Sequence, residues 1–224
     1  MTSARVVPVH VPRDPTAQVL VLHGGGARRH GVRVSPTQLS VVRMVPIARR
    51  IALGGRDRLA VFRLLNSSRG WDAHHTPVHD VAWALGQLRS RLGRNLPTGL
   101  VGHSLGGRAA LLSADEPSVR SVVALAPWVY ATDGRRDLSG RRVLLVHGTE
   151  DHIASPARSS AVASDLRRTA EVGYICIEGG RHAMVRHHHQ FDGYAAEFTR
   201  ATLLDDTVSG PVARVLAGET WVDV

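Results

Sequence analysis

Short aliphatic runs recur along the chain, separated by longer amphipathic segments. From the second run onward they are continuously apolar rather than alternating, which is typical of strands buried on both faces of a parallel sheet. The runs are VVPVHV (6–11), QVLVLH (18–23), LAVFRLL (59–65), TGLVGH (98–103), SVVALA (121–126), RVLLVH (142–147) and VGYICIE (172–178).

The segments between these runs have helical periodicity. It is clearest over residues 77–92, where apolar residues recur at steps of three and four, Pro77 suits a first turn and Gly93 a stop. We predict helices over residues 37–52, 77–92, 105–113, 156–170 and about 183–204. Strands alternating with helices predict an α/β fold, a mostly parallel central sheet with helices on both faces.

The length of 224 residues and the 43% hydrophobic share suit one domain over residues 1–224. We expect its core to span about 18–204. Residues 206–224 have little pattern, and we expect a short helix or a loose tail there.

The segment GHSLGG follows the run TGLVGH and precedes a predicted helix. This is the G-x-S-x-G pattern between a strand and a helix, where a sharp turn holds a serine hydroxyl above the sheet. Glycines on either side of the serine remove Cβ atoms that would collide in such a turn. We predict that Ser104 is a nucleophile.

The segment HGGG follows the run QVLVLH. Glycine leaves backbone N–H groups accessible, as a site that stabilises an oxyanion requires. We predict that Gly25 or Gly26, together with Leu105 after the nucleophile, supply these N–H groups. A phosphate-binding loop is the alternative, but its G-x-x-x-x-G-K-[ST] pattern is absent and the chain has no lysine.

Two further strand ends carry an acid and a histidine. Asp151 follows RVLLVH, and a carboxylate there could orient a histidine; Glu150 is the less favoured neighbour. His182, in GGRHAM, follows VGYICIE and could take the proton of Ser104. The alternatives are a surface acidic pair and a polar loop histidine.

Three more histidines, His187, His188 and His189, begin the predicted helix after His182. Consecutive helical residues point about 100° apart, so three in a row cannot face one metal ion. Acidic or cysteine partners at zinc-ligand spacing are also absent nearby. We expect no metal, no cofactor, and an exposed polar helix start.

The order Ser104, Asp151, His182, each in a loop after a strand, resembles the α/β-hydrolase superfamily over about residues 18–204. The resemblance implies a serine hydrolase that works through an acyl-enzyme. Two departures are expected: only one strand precedes the strand that ends in HGGG, and the roughly 15 residues between SVVALA and RVLLVH leave no room for a helical cap.

An open site without a cap favours a carboxylesterase for small to medium acyl substrates. Thioesters, lactones and peptides stay open because the same machinery handles them, and so does a non-catalytic binding module of the same fold. Trp71 and Trp128 follow strand ends and could line the substrate pocket or merely pack at its rim.

The net charge of +9 raises the question of nucleic acid. The basic residues are all arginine and scattered in pairs, and aromatic residues for base stacking are few, at 4%, so we expect no nucleic-acid partner. No apolar run approaches the roughly 18–20 residues of a membrane helix, and the N-terminus shows no secretory signal. We therefore expect a cytoplasmic protein; the sequence does not indicate an oligomeric state.

Overall fold

The structure is a computed structural model that describes residues 3–25 and 34–224. These residues form eight strands: β1 (Arg5–His10), β2 (Ala17–Leu22), β3 (Leu59–Leu65), β4 (Thr98–His103), β5 (Val119–Leu125), β6 (Arg142–Gly148), β7 (Glu171–Ile177) and β8 (Trp221–Asp223). Their helices are α1 (Leu39–Val42), α2 (Met44–Gly55), α3 (Thr76–Leu92), α4 (Leu105–Leu112), α5 (Pro156–Leu166), α6 (His188–Leu204) and α7 (Gly210–Leu216).

The strands join one sheet in the order β1-β3-β2-β4-β5-β6-β7-β8. Only β1 runs antiparallel to its neighbour, and every other pairing is parallel. The predicted strands agree with the observed ones within two residues. The early antiparallel part of the sheet is reduced to the single strand β1, as predicted. The order matters for function because parallel strands β2, β4, β6 and β7 bring their carboxyl ends to one edge.

Helices cover both faces of the sheet, which confirms the predicted α/β class. Apolar residues of α3, α4 and α5 pack with one face in a buried cluster. Residues of α2, α6 and α7 pack with the other face in a second cluster. The central strands have both faces buried, which explains why their sequences are continuously apolar.

Between β5 and β6 the chain has only a short 3₁₀ turn, Ala131–Arg135, in place of a helical cap. This confirms the predicted lack of a cap. No helix among the described residues is both long and apolar enough to cross a membrane.

Three predicted helices have different bounds, and the one predicted over 156–170 ends at Leu166. The helix predicted over 37–52 is interrupted at Arg43. Pro46 cannot donate to the carbonyl of Val42, so the helix starts again with Pro46 in its first turn. The helix predicted from about 183 begins at His188, because Met184 has a φ of 51°, which is incompatible with an α-helix.

The expectation of a short helix or a loose tail over 206–224 was incomplete. Residues of α7 pack on the sheet, and β8 pairs with β7 as an eighth, parallel strand. Trp221 of β8 stacks on Tyr174 of β7, with ring centroids 4.4 Å apart and planes at 7°. The C-terminal segment therefore covers what would otherwise be the open edge of β7.

Candidate active site

Ser104 lies on the predicted sharp turn between β4 and α4. Its φ of 56° and ψ of −120° are strained for a residue with a side chain. The turn brings the backbones of Gly102 and Gly106 so close that only glycine fits at position 102. A Cβ there would lie 2.1 Å from the Gly106 carbonyl oxygen. The Ser104 N–H donates to the carbonyl of Leu125, which fixes the turn to β5.

The structure brings Ser104, His182 and Asp151 into one hydrogen-bonded row. The Ser104 hydroxyl lies 3.0 Å from Nε2 of His182, and Nδ1 of His182 lies 2.7 Å from Oδ2 of Asp151. Because a carboxylate only accepts hydrogen bonds, Nδ1 carries the proton and Nε2 is free to accept one from serine. His182 is therefore held in the tautomer that a general base needs.

The Asp151 carboxylate is buried, with 5% of the residue exposed. Burial alone would raise its pKa, but hydrogen bonds from His147, from His182 and from the N–H of Ala154 outweigh burial and lower the pKa well below its ordinary value. The N–H groups of Ile153 and Ala154 donate to Oδ1 at 2.8 and 2.9 Å. Asp151 thus stays ionised beside His182 at any ordinary pH. Glu150, the alternative acid, instead pairs with exposed Arg181.

The described part of the HGGG segment, His23 to Gly25, packs directly against the serine. A Cβ on Gly24 would lie 3.2 Å from the Cβ of Ser104, and one on Gly25 would lie 3.1 Å from a methyl carbon of Leu105. His23 holds this segment: its Nδ1–H donates to the carbonyl of Gly24 at 2.6 Å, and its Nε2 accepts from the N–H of Asn66. Gly25 and Leu105 are therefore neighbours at the serine, while Gly26 lies outside the described residues.

A cavity of about 1110 Å³ opens at the serine. Both predicted tryptophans, Trp71 and Trp128, line it. The backbone N–H of Trp128 donates to the carbonyl of Ser104. The guanidinium carbon of Arg108 lies 4.3 Å from the Trp71 ring centre and 4.5 Å from that of Tyr130. Asp133 holds Arg108 with two hydrogen bonds, so the aromatic wall is fixed in position.

The histidines at 187–189 stand apart from this site. The Nδ1–H of His188 donates to the carbonyl of Val185, and the ring centres of His188 and His189 lie 4.0 Å apart. Over residues 3–25 and 34–224, no group of three or more histidine, cysteine or acidic side chains is placed to hold a metal ion.

Two histidines to which the sequence assigned no catalytic role lie at the site. His147 donates to Asp151, and His103 packs against His182 with ring centres 4.8 Å apart. Burial, and then the charge of His182, lower the pKa of His103 to about 3. The neutral ring donates from Nε2 to the backbone carbonyl of His182 at 2.9 Å, which ties the base loop to the nucleophile turn.

The low pKa of His103 predicts a stability that depends on pH. Its ordinary pKa of 6.5 applies to the unfolded chain, so the unfolded state takes up a proton first as pH falls. The contribution of neutral His103 is complete above pH 6.5 and is lost progressively as pH falls towards 3. We expect His103→Gln to reduce the slope of unfolding free energy against pH in this window by up to about 1.4 kcal/mol per pH unit.

Urea unfolding at several pH values between 3 and 7 measures this slope. The exposed His79→Gln is the control for loss of a histidine elsewhere. Equal slopes for wild type and His103→Gln would contradict the assignment of a neutral, buried His103.

A model of the PET hydrolase-like family matches residues 82–200, more than half of the chain. The chain belongs to the PET hydrolase-like family. The matched region of this α/β-hydrolase contains Ser104, Asp151 and His182, whereas the HGGG segment precedes it. A comparison with curated proteins finds no significant match.

Solved esterase structures share the fold. Est1E from Butyrivibrio proteoclasticus, with ferulic acid bound, is 15% identical at a TM-score of 0.65, covering 90% of this chain and 95% of that chain. An esterase from Pyrobaculum calidifontis is 17% identical at 0.64, with 90% and 81% covered. A putative α/β hydrolase from Agrobacterium tumefaciens is 15% identical at 0.67, with 93% and 94% covered. The PET hydrolase-like chain is thus an esterase-like α/β hydrolase in fold.

Proposed function

We propose that this PET hydrolase-like chain is a serine esterase that cleaves carboxylic esters carrying a small to medium apolar, preferably aromatic, group. The observation that carries the proposal is the hydrogen-bonded row Ser104–His182–Asp151 at the wall of an open apolar cavity. The proposed reaction needs no metal or cofactor.

The mechanism follows from the proton positions. Ser104 Oγ attacks the ester carbonyl carbon while its proton passes to Nε2 of His182, and Asp151 stabilises the imidazolium that forms. Backbone N–H groups of Leu105 and Gly25, or of Gly26, hold the oxyanion. His182 then protonates the leaving alcohol oxygen, and water, activated by the same histidine, releases the acid from Ser104.

The exposed apolar side chains at the cavity mouth support an apolar substrate. Ten large apolar side chains are exposed among the described residues, and six of them line this one cavity. These are Leu39, Val42, Trp128, Tyr130, Ile153 and Val185. Such a concentration of exposed apolar surface around a cleft is typical of a site that binds an apolar ligand.

Aromatic groups are preferred because the wall offers flat partners. Trp71, Trp128 and Tyr130 line the cavity, and offset or edge-to-face contacts between such rings and an aromatic substrate contribute beyond simple burial. The ferulic acid bound to Est1E, which is an aromatic acid, points the same way.

A matched substrate series tests the proposal. We expect 4-nitrophenyl benzoate to be hydrolysed with a higher kcat/KM than 4-nitrophenyl cyclohexanecarboxylate, which has the same leaving group and a similar size but a puckered ring. Benzyl acetate and cyclohexylmethyl acetate, whose leaving groups are both primary alcohols, make the same comparison on the alcohol side. Equal rates in both pairs would contradict the aromatic preference but not the esterase.

Labelling with a fluorophosphonate separates an enzyme from a binding module of the same fold. We expect the label on the peptide that contains Ser104, identified by mass spectrometry. Labelling without turnover of any ester would direct attention to thioesters, lactones or peptides. Absence of both labelling and turnover would contradict the proposed function altogether.

A further inference from the structure

Asp151 has a second histidine on the oxygen that holds His182. His147, at the end of β6, is completely buried, and its Nε2 lies 3.0 Å from Oδ2 of Asp151. Nδ1 of His182 lies 2.7 Å from the same oxygen. Burying an imidazole away from water is costly unless its two ring nitrogens find hydrogen-bond partners inside the protein.

The neighbours of His147 fix its tautomer. Its Nε2 faces two acceptors, Oδ2 of Asp151 and, at 3.2 Å, the carbonyl oxygen of Ala154. The ring proton is therefore on Nε2, and Nδ1 accepts a hydrogen bond from the hydroxyl of Ser159 at 2.7 Å. His147 is thus a hydrogen-bond donor to the carboxylate.

The chain of hydrogen bonds continues away from the site. The Ser159 oxygen lies 2.9 Å from the hydroxyl of Tyr174. Because the Ser159 proton is given to His147, the Tyr174 hydroxyl is the donor in this contact. Burial raises the pKa of Tyr174, so its hydroxyl keeps its proton. The carbonyl oxygen of Pro156 lies beside both hydroxyls, 3.1 Å from Ser159 and 3.3 Å from Tyr174, and helps to hold them in place.

The carboxylate is thereby held at both oxygens. Backbone N–H groups donate to Oδ1. Oδ2 accepts from His147 in the protein interior and from His182 at the cavity. We propose that His147, fixed by Ser159 and Tyr174, is a positioning residue that keeps Oδ2 of Asp151 aligned with His182. This inference rests on the esterase function proposed above.

His147 also shares the negative charge of the carboxylate. Without its N–H, more charge would remain on Oδ2, and the imidazolium of His182 would be favoured. Over residues 3–25 and 34–224, the other ionisable groups near this pair are Tyr174 and Cys176 on β7, His103 behind His182, and Arg43 beside the loop that carries His182. We therefore expect loss of His147 to move the acid limb of the kcat/KM profile to higher pH.

Three variants test the inference on 4-nitrophenyl esters. We expect His147→Leu to lower kcat on the order of tenfold to a hundredfold with little change in KM, and to shift the acid limb upward. His147→Gln retains an amide N–H and should restore part of kcat and part of the position of the acid limb. Ser159→Ala frees Nδ1 of His147 and should act in the same direction but less. Ser160→Ala is the matched control, because it removes the neighbouring hydroxyl, which donates to the carbonyl of Ala157 on the same helix.

Rates are divided by the number of active sites that a fluorophosphonate labels, so misfolded protein does not count. A lower melting temperature with unchanged kcat and an unmoved acid limb in His147→Leu would show a purely structural role and overturn the inference. If His147→Leu does not fold, an unmoved acid limb in His147→Gln and Ser159→Ala would do the same. A wild type that neither labels nor turns over would instead overturn the proposed function.

Discussion

Replacing Ser104 with alanine is expected to reduce kcat on the order of 10⁶-fold while leaving the fold intact. The hydroxyl is the only part of this side chain that the proposed reaction uses, and it lies 3.0 Å from the base. Alanine keeps the Cβ that already fits the turn, so the strained backbone conformation is not changed. The remaining activity would come from binding and the oxyanion N–H groups alone.

The control for this variant lies at the other end of helix α4. Ser113 follows α4 and is buried, and its hydroxyl has no hydrogen-bond partner within residues 3–25 and 34–224. Ser113→Ala should therefore leave kcat and KM unchanged. Initial rates with a 4-nitrophenyl ester and fluorophosphonate labelling of both variants give the comparison. Equal activity of Ser104→Ala and wild type would show that Ser104 is not the nucleophile.

The strands, and the strand ends that carry the candidate catalytic residues, were predictable from local sequence. Continuous apolar runs identify buried strands, and the carboxyl ends of parallel strands meet at one edge. That is why Ser104, Asp151 and His182, far apart in sequence, could be expected together from their places after three strands. Glycines at 102 and 106 were informative for the same reason, because a close backbone approach has a local sequence requirement.

The parts that were not predictable depend on distant partners. The strand β8 has three residues, and only Val222 among them is buried; its position comes from pairing with β7 and from the Trp221–Tyr174 stack. His147 reads as part of an apolar strand, and its role is visible only once Ser159 and Asp151 are placed around it. No periodicity in the sequence reports such contacts.

Arg43 shows how the two faces of the site are joined. It stands between α1 and α2, donates from Nε to the carbonyl of Ala183, and pairs with Asp192 at the start of α6. The loop after His182 is thus held to the segment that carries Leu39 and Val42 at the cavity mouth. The helix interruption at Arg43, which sequence periodicity did not predict, therefore places a side chain that holds the cavity mouth and the loop after His182 together.

Gly102→Ala is expected to destabilise the protein by at least about 4 kcal/mol, or to prevent folding. A Cβ at this position would lie 2.1 Å from the carbonyl oxygen and 2.7 Å from the next backbone nitrogen of the Gly106–Gly107 segment. These are backbone atoms at the start of α4, and they cannot move as a flexible side chain would. Relieving the contact requires opening the turn that holds Ser104, so activity should fall with stability.

Gly86→Ala is the matched control for the substitution itself. Gly86 lies inside α3, and an added Cβ meets no atom within 4 Å. Alanine there should stabilise the protein by roughly 0.5–1 kcal/mol, because it lowers the entropy of the unfolded chain and suits a helix. Urea unfolding measures both variants, and fluorophosphonate labelling counts the intact sites. A Gly102→Ala protein as stable and as reactive as wild type would mean that β4 and α4 do not approach as closely as this turn requires.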